Sequence, residues 1–291
     1  MKPAVDNIIR ELLSNLLLSL EEHFDSDVLT YYGSIVDGNE NTLLKIVEEL
    51  SKEKSKRKKL LVVLTTNGGS ATAVERYVNI LRAHYNEVNF IVPDYAYSAG
   101  TIFCMSGDSI HMDYFSVLGP IDPQVRNKEG KFVAALGYLD KINELLEKAK
   151  NNTLTQAEFL ILKDFDLAEL RGYEQAKELT ITLLKKWLVN YKFKNWKTHQ
   201  TTKAKIGNKV TKEEKIKRAE EIADKLSDNK MWKSHGRPIN IETLEKDLKL
   251  KIEDYSLNQE RRKIIRSYYE LLSDYIVHNN YSIFVQTRTY I

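Results

Sequence analysis

A chain of 291 residues that is 42% hydrophobic and 29% charged has the make-up of a packed globular protein, which excludes a disordered segment. Its 44 basic and 41 acidic side chains cancel to a net charge of +3, which excludes the strong one-signed field of a nucleic-acid binder. The single cysteine, Cys104, excludes an intrachain disulfide and fits a reducing cytoplasm; with no CxxC or HExxH pairing, neither a metal nor a cofactor is expected.

The opening MKPAVDNIIRELLSNLLLSLEEHF has apolar residues at helical spacing, and Asp6, Arg10, Glu21 and Glu22 bound an apolar stretch too short for a bilayer. It reads as an amphipathic packing or assembly helix, not a membrane span, with Ile8, Leu12, Leu16 and Leu20 as its stripe. From residue 27 to about 125, strand and helix patterns alternate, as in βαβ construction with a mostly parallel sheet. VLTYYGSIV reads as a strand, NTLLKIVEELSKE as a helix, and KLLVVLTT as a buried strand running straight into the loop NGGS. The helix ATAVERYVNILRAHY, the strand EVNFIVPD, a short helix opening at Ser98 and a strand through SIHMD follow. The basic run from Lys52 to Lys59 lies between a helix and a strand, where a solvated connection is expected.

Past residue 135 the patterns are mainly helical: GYLDKINELLEKAK, LTQAEFLILKDF, residues 167–191, KEEKIKRAEEIADKL and QERRKIIRSYYELLSDYIVHN. The lysine-rich HQTTKAKIGNK is the expected flexible loop, and YSIFVQTRTYI reads as a terminal strand. The expected plan is an N-terminal helix over 1–26, a catalytic α/β core over 27–135 and a helical extension over 136–291 that completes the site.

Two loops carry the chemistry. One strand ends in Asn67-Gly68-Gly69-Ser70, and a second, about 30 residues on, ends in Tyr95-Ala96-Tyr97-Ser98-Ala99-Gly100-Thr101. Both fall at the C-terminal ends of expected parallel strands, the edge on which open α/β sheets build their sites. Glycines 68 and 69 let backbone amides approach a bound carbonyl, and the amide of Ala99 follows the candidate nucleophile Ser98, so Gly68, Gly69 and Ala99 are the candidate oxyanion hole. Taken singly, either loop would read as an N-cap or a turn. The hydroxyl needs a base. Of the six histidines, His235 alone sits in a loop beside a glycine, in Trp-x-x-His-Gly-Arg-Pro.

YSAGT at 97–101, LGPIDPQ at 118–124 and WKSHGRPI at 232–239 resemble the serine dehydrogenase proteinases, a branch of the ClpP/crotonase-like superfamily related to the signal-peptide peptidases. The resemblance implies an α/β fold with a ClpP/crotonase-like spiral ββα core, a mostly parallel sheet and an α-helical C-terminal extension. It implies a serine endopeptidase with a triad in the order Ser98, Asp122, His235, Asp122 standing between Pro120 and Pro123. The related signal-peptide peptidases use a Ser–Lys dyad, for which Lys163 is the alternative base by order along the chain. A crotonase-like acyl-CoA enzyme and a non-catalytic scaffold are the other readings of the same fold. Expected partners are a peptide or unfolded protein substrate and further copies of the chain in a homo-oligomer, with no nucleic acid.

Overall fold

The computed structural model describes residues 3–122, 124–126, 130, 132–200 and 203–291; Pro123 and two threonines of the lysine-rich loop, at 201 and 202, lie outside them. The elements in chain order are α1 (Pro3–Phe24), β1 (Asp27–Gly33), α2 (Glu40–Lys52), β2 (Lys59–Thr65), α3 (Ala71–His84), β3 (Glu87–Ile91), β4 (Tyr95–Ala96), α4 (Ala99–Met105), β5 (Ser109–Met112) and β6 (Val117–Leu118). The hairpin β7 (Gln124–Arg126) and β8 (Phe132–Ala134) leads into α5 (Ala135–Lys150), α6 (Gln156–Lys163) and α7 (Leu167–Trp187), which a π-helical turn extends. Then come α8 (Lys212–Leu226), α9 (Asn229–Trp232), α10 (Ile241–Lys246), β9 (Glu253–Asp254), α11 (Gln259–Asn279) and β10 (Ile283–Gln286).

Six strands form one sheet in the order β10-β1-β2-β3-β5-β9. All neighbours pair in parallel except β10, which runs antiparallel to β1. The run Leu60 to Leu64 is apolar throughout because β2 is covered on both faces. Leu60, Val62 and Leu64 point into the large core that also takes in α3, α4, α7 and α8, while Leu61 and Val63 point into the core built by α1 and α11. The helices start where local chemistry supplies a cap: Thr155 and Thr211 form capping boxes with Glu158 and Glu214, and Asp166 caps α7.

The mixed α/β architecture with a mostly parallel sheet and C-terminal helices is therefore as expected. Three details differ. β1 ends at Gly33, where φ is +118°, so the expected strand stops before Ser34. The second half supplies both edge strands, including the two-residue β9 paired to His111 and Met112. In α1 the residues buried against α11 are Leu13, Leu17 and Leu20, while Ile8 and Leu12 of the expected stripe are exposed. The helix folds back on the sheet, and only part of its apolar surface is covered. Among the described residues no helix is long and apolar enough to cross a membrane.

The lysine-rich loop is tied at its flanks. Thr198 bridges Lys209, and His199 is buried with Nε2 3.1 Å from Glu214. The basic run at 52–59 spends its nearest cations on the backbone: Lys56 Nζ donates to His84 O at 2.9 Å, and the Arg57 guanidinium donates to Glu21 O. Glu21 and Asp27 in turn share Arg288, whose Nη1 donates to them at 2.8 and 2.7 Å.

Candidate active site

Ser98 stands between β4 and α4 with φ +52° and ψ −115°, a conformation that a residue with a side chain rarely adopts. Such a residue costs about 1–3 kcal/mol and persists only where its surroundings fix it. Thr66 N donates to Tyr95 O at 3.1 Å and Tyr97 N to Thr66 O at 3.0 Å, which locks the chain just before the serine. Thr101 Oγ1 donates to Ala96 O or Gly119 O, at 2.9 and 2.8 Å, and accepts Gly119 N at 3.0 Å, which locks it just after. A side chain on Gly100 would collide with the Thr66 methyl, so the Ser-x-Gly spacing is a packing requirement at this turn. Ser98 is buried, and its Oγ lies 3.5 Å from the main-chain oxygen of Asp122.

The Gly68-Gly69 turn abuts this serine. A Cβ on Gly68, where φ is +98°, would stand 2.9 Å from Ser98 Cβ and 3.1 Å from Ala99 N. Gly69, with φ +142°, passes so close to Ile35 O that a side chain would overlap it. The three candidate amides are not equivalent. Gly68 N donates to Thr66 Oγ1 at 2.9 Å, whereas the amides of Gly69 and Ala99 have no acceptor among the described residues.

Asp122 and His235 are brought together. Asp122 Oδ1 accepts the Leu136 amide at 3.1 Å, and Oδ2 lies 3.9 Å from His235 Nδ1. Burial pushes the Asp122 acid up, against the Leu136 amide and the imidazole, which pull it down. Burial pushes His235 down, against the attraction of Asp122. The histidine turn is nailed at both ends. Trp232 Nε1 donates to Lys225 O at 2.7 Å, and Ile239 exchanges two 2.9 Å hydrogen bonds with Leu118, whose other edge pairs with Ala96 in β4. Leu118 thus sits between the serine's strand and the histidine's turn.

Lys163 is placed differently. It is exposed at the end of α6, a helix with no buried residue. Among the described residues Ser98 Oγ bonds the Asp122 main chain and neither Lys163 nor His235. Of the remaining histidines, His111 is held down to about 4 by burial, lies 3.0 Å from Ser109 Oγ and sits in β5, paired to Ile91 of β3 and Glu253 of the edge strand β9. Thr66, Thr101 and the Leu136 amide support the site without having been singled out in the sequence. The threonines sit in motifs already noted, but nothing in the sequence pairs them with Gly68 or Gly119.

A family of ClpP-like SDH-type serine proteinases matches residues 36–211, more than half of the chain. The chain belongs to that family. The matched span contains Ser98, Asp122 and Lys163 and stops short of His235. Two uncharacterized proteins of Methanocaldococcus jannaschii are similar, one 33% identical over 138 residues, covering 43% of this chain and 45% of its own length. The other is 33% identical over 118 residues, covering 40% of this chain and 36% of its own. The chain thus spans less than half the length of the curated relatives it matches. Two solved structures of a 1510-N membrane-bound stomatin-specific protease, both alanine mutants and one holding a substrate peptide, share 18% and 20% identity. They align over 42% of this chain and 61% and 58% of their own, with TM-scores of 0.32.

Proposed function

We propose that this member of the serine proteinase family hydrolyses peptide bonds through an acyl-enzyme on Ser98, with His235 as base and Asp122 as its orienting carboxylate. The observation that carries the reading is the strained backbone of Ser98, abutted by the Gly68-Gly69 turn, with the amides of Gly69 and Ala99 left without an acceptor among the described residues. A plain N-cap needs no strain at its serine, and free amides from two loops are donors that an acyl-transfer site can use.

In this reading Ser98 Oγ attacks the scissile carbonyl carbon while its proton passes to His235 Nε2, the nitrogen that does not face Asp122. The carbonyl oxygen takes the negative charge, and the amides of Gly69 and Ala99 donate to it. The task of Gly68 is closeness, because its own amide is committed to Thr66. Collapse of the adduct breaks the C–N bond, and the proton on His235 leaves with the amine. Water then repeats the sequence on the ester and returns the serine. For Asp122 to hold the imidazolium, the 3.9 Å separation closes by about 1 Å to hydrogen-bond length.

The dyad with Lys163 has less support, since a lysine base depends on burial and Lys163 is exposed. The acyl-CoA and scaffold readings have no feature of their own in the site. A fluorophosphonate probe tests the proposal: phosphonylation of Ser98 in the wild type, absent from Ser98→Ala, is the expected result. A folded wild-type protein that resists the probe and cleaves no peptide would overturn it.

A further inference from the structure

The Gly68-Gly69-Ser70 turn is gripped from outside, by the loop that follows β1. Ile35 N donates to Gly68 O and Ser70 N to Ile35 O, each at 2.8 Å, so the two main chains run side by side for one residue. Two residues on, Asp37 adds a side-chain grip. Its Oδ1 accepts Ser70 Oγ at 2.8 Å and Thr72 Oγ1 at 3.1 Å, and the two hydroxyls lie 2.7 Å apart. The Asp37 loop is itself braced to α3. Glu40 Oε2 accepts the Gly38 amide at 2.8 Å, and Glu40 Oε1 lies 3.2 Å from Arg76.

Capping α3 does not require Asp37. Ser70 Oγ accepts Ala73 N at 3.1 Å with a lone pair, and that leaves its proton free to point anywhere. Asp37 fixes where it points, and so fixes the residue adjoining Gly69. No ion pair to Asp37 is formed among the described residues, so its contribution is as a hydrogen-bond acceptor aimed at two hydroxyls.

We propose that Asp37 is a positioning residue that holds the Gly69 amide in line for the oxyanion. This rests on the reading of Ser98 as nucleophile and Gly69 as donor. An amide displaced by a fraction of an ångström loses value in the transition state much more than in the substrate complex, so the effect falls on kcat.

The test compares Asp37→Ala, Asp37→Asn and Thr72→Val in the full chain, reading peptide turnover, the rate of Ser98 phosphonylation and the melting temperature. Asp37→Ala is expected to lower kcat and the phosphonylation rate by roughly 10- to 100-fold, below the full loss of an oxyanion donor, with KM changed less than about threefold. Asp37→Asn keeps an oxygen acceptor and should stay within about threefold of wild type; Thr72→Val should fall between the two. A rise in KM at constant kcat would make Asp37 a substrate contact and overturn the proposal. So would an Asn variant as damaged as the Ala variant, or an Ala variant indistinguishable from wild type. Should the Ala variant fail to fold, an unchanged Thr72→Val would overturn it. A wild type that is neither active nor phosphonylated at Ser98 defeats the peptidase reading, and the positioning role falls with it.

Discussion

His235 Nδ1 lies 3.9 Å from Asp122 Oδ2, and both atoms are buried without a hydrogen-bond partner among the described residues. Burial depresses the imidazole and raises the acid, so both groups lean toward their neutral forms. A base must be neutral to act, and the orienting carboxylate ionised. The rising limb of kcat/KM against pH, which reports the pair, is therefore expected below about 6.5, the ordinary imidazole value. A limb above about pH 8 would assign the base to a lysine. Stability carries the same signature. With the folded imidazole depressed, its contribution falls as pH drops through the unfolded value of about 6.5, because the unfolded chain takes the proton first. The raised Asp122 acts with the opposite sign, its contribution falling as pH rises above the ordinary carboxyl value of about 3.8 and through the raised folded one. His235→Ala should flatten the first of these slopes in denaturant titrations.

His235→Ala is expected to lower kcat nearly as far as Ser98→Ala, by roughly 10³-fold or more, since members of such a unit are lost together. Asp122→Asn should cost less than either but still at least about 10²-fold. Lys163→Ala should leave turnover within about twofold, as expected of an exposed side chain. A dead Lys163→Ala with an active His235→Ala would reverse the assignment.

The strain at Ser98 lets the proposed role of its hydroxyl be tested apart from the fold. Ser98→Ala keeps a Cβ at φ +52° and should melt close to wild type, whereas Ser98→Gly removes the conformational cost and should be more stable by about 1–2 kcal/mol. Both should be inactive. A glycine variant that melts below the alanine variant would show that the turn is unstrained. Gly69→Ala is the converse case, since its Cβ would overlap Ile35 O, and it should lower stability by several kcal/mol, about 3 or more.

The half-buried Arg288 joins α1, β1 and the segment after β10 through the buried Glu21 and Asp27. Arg288→Ala leaves two buried carboxylates facing each other, with Tyr85 OH at 2.7 Å from Asp27 as a remaining donor. A loss of about 3–5 kcal/mol in chemical denaturation is expected, with the fold retained at low temperature. A loss under about 1 kcal/mol would mean that water replaces the guanidinium.

Self-association, anticipated from the sequence, has two candidate surfaces: Val5, Ile8 and Leu12 on α1, and Phe159, Leu160 and Ile161 on α6. Deleting α1 would also uncover the core made by Leu13, Leu17 and Leu20, so point changes are the cleaner probe. Ile8→Glu with Leu12→Glu, or Phe159→Glu with Ile161→Glu, is expected to lower the molar mass measured by light scattering at unchanged melting temperature. A wild-type monomer at micromolar concentration would end the expectation.

The first half was legible because strand and helix patterns alternate along it and β2 is a continuous apolar run leading into a glycine-rich loop, from Leu60 to Gly69. β9 was not, since Glu253 and Asp254 carry no apolar signal and pair only because the chain returns beside His111 and Met112. The face of α1 buried inside the protomer was not legible for the opposite reason, and it shares only Leu20 and the half-buried Leu16 with the stripe read from the sequence. Apolar residues in IIRELLSNLLLSL occupy so much of the helix that several stripes fit, and only contact with α11 selects Leu13, Leu17 and Leu20. His235 has a glycine neighbour as its sole local signal, and its link to Asp122 came from the family resemblance. Asp37 gave none, because an aspartate before a glycine reads as an ordinary turn.

Leu118, paired to Ala96 on one edge and to Ile239 on the other, has a consequence for synthesis. A ribosome delivers Ser98 long before it delivers Ile239, and until that later residue emerges the antiparallel bridge that seats the histidine turn cannot form. With His235 as base, a nascent chain carrying the whole glycine-rich half would hold a serine with no means of ionising it. The emerging polypeptide would then be spared its own hydrolysis, and competence to cut would arise only in a chain that has threaded its second half back onto the first. Long-range closures of this kind form slowly relative to local helices. On that reading, the interval between making Ser98 and arming it is set by topology.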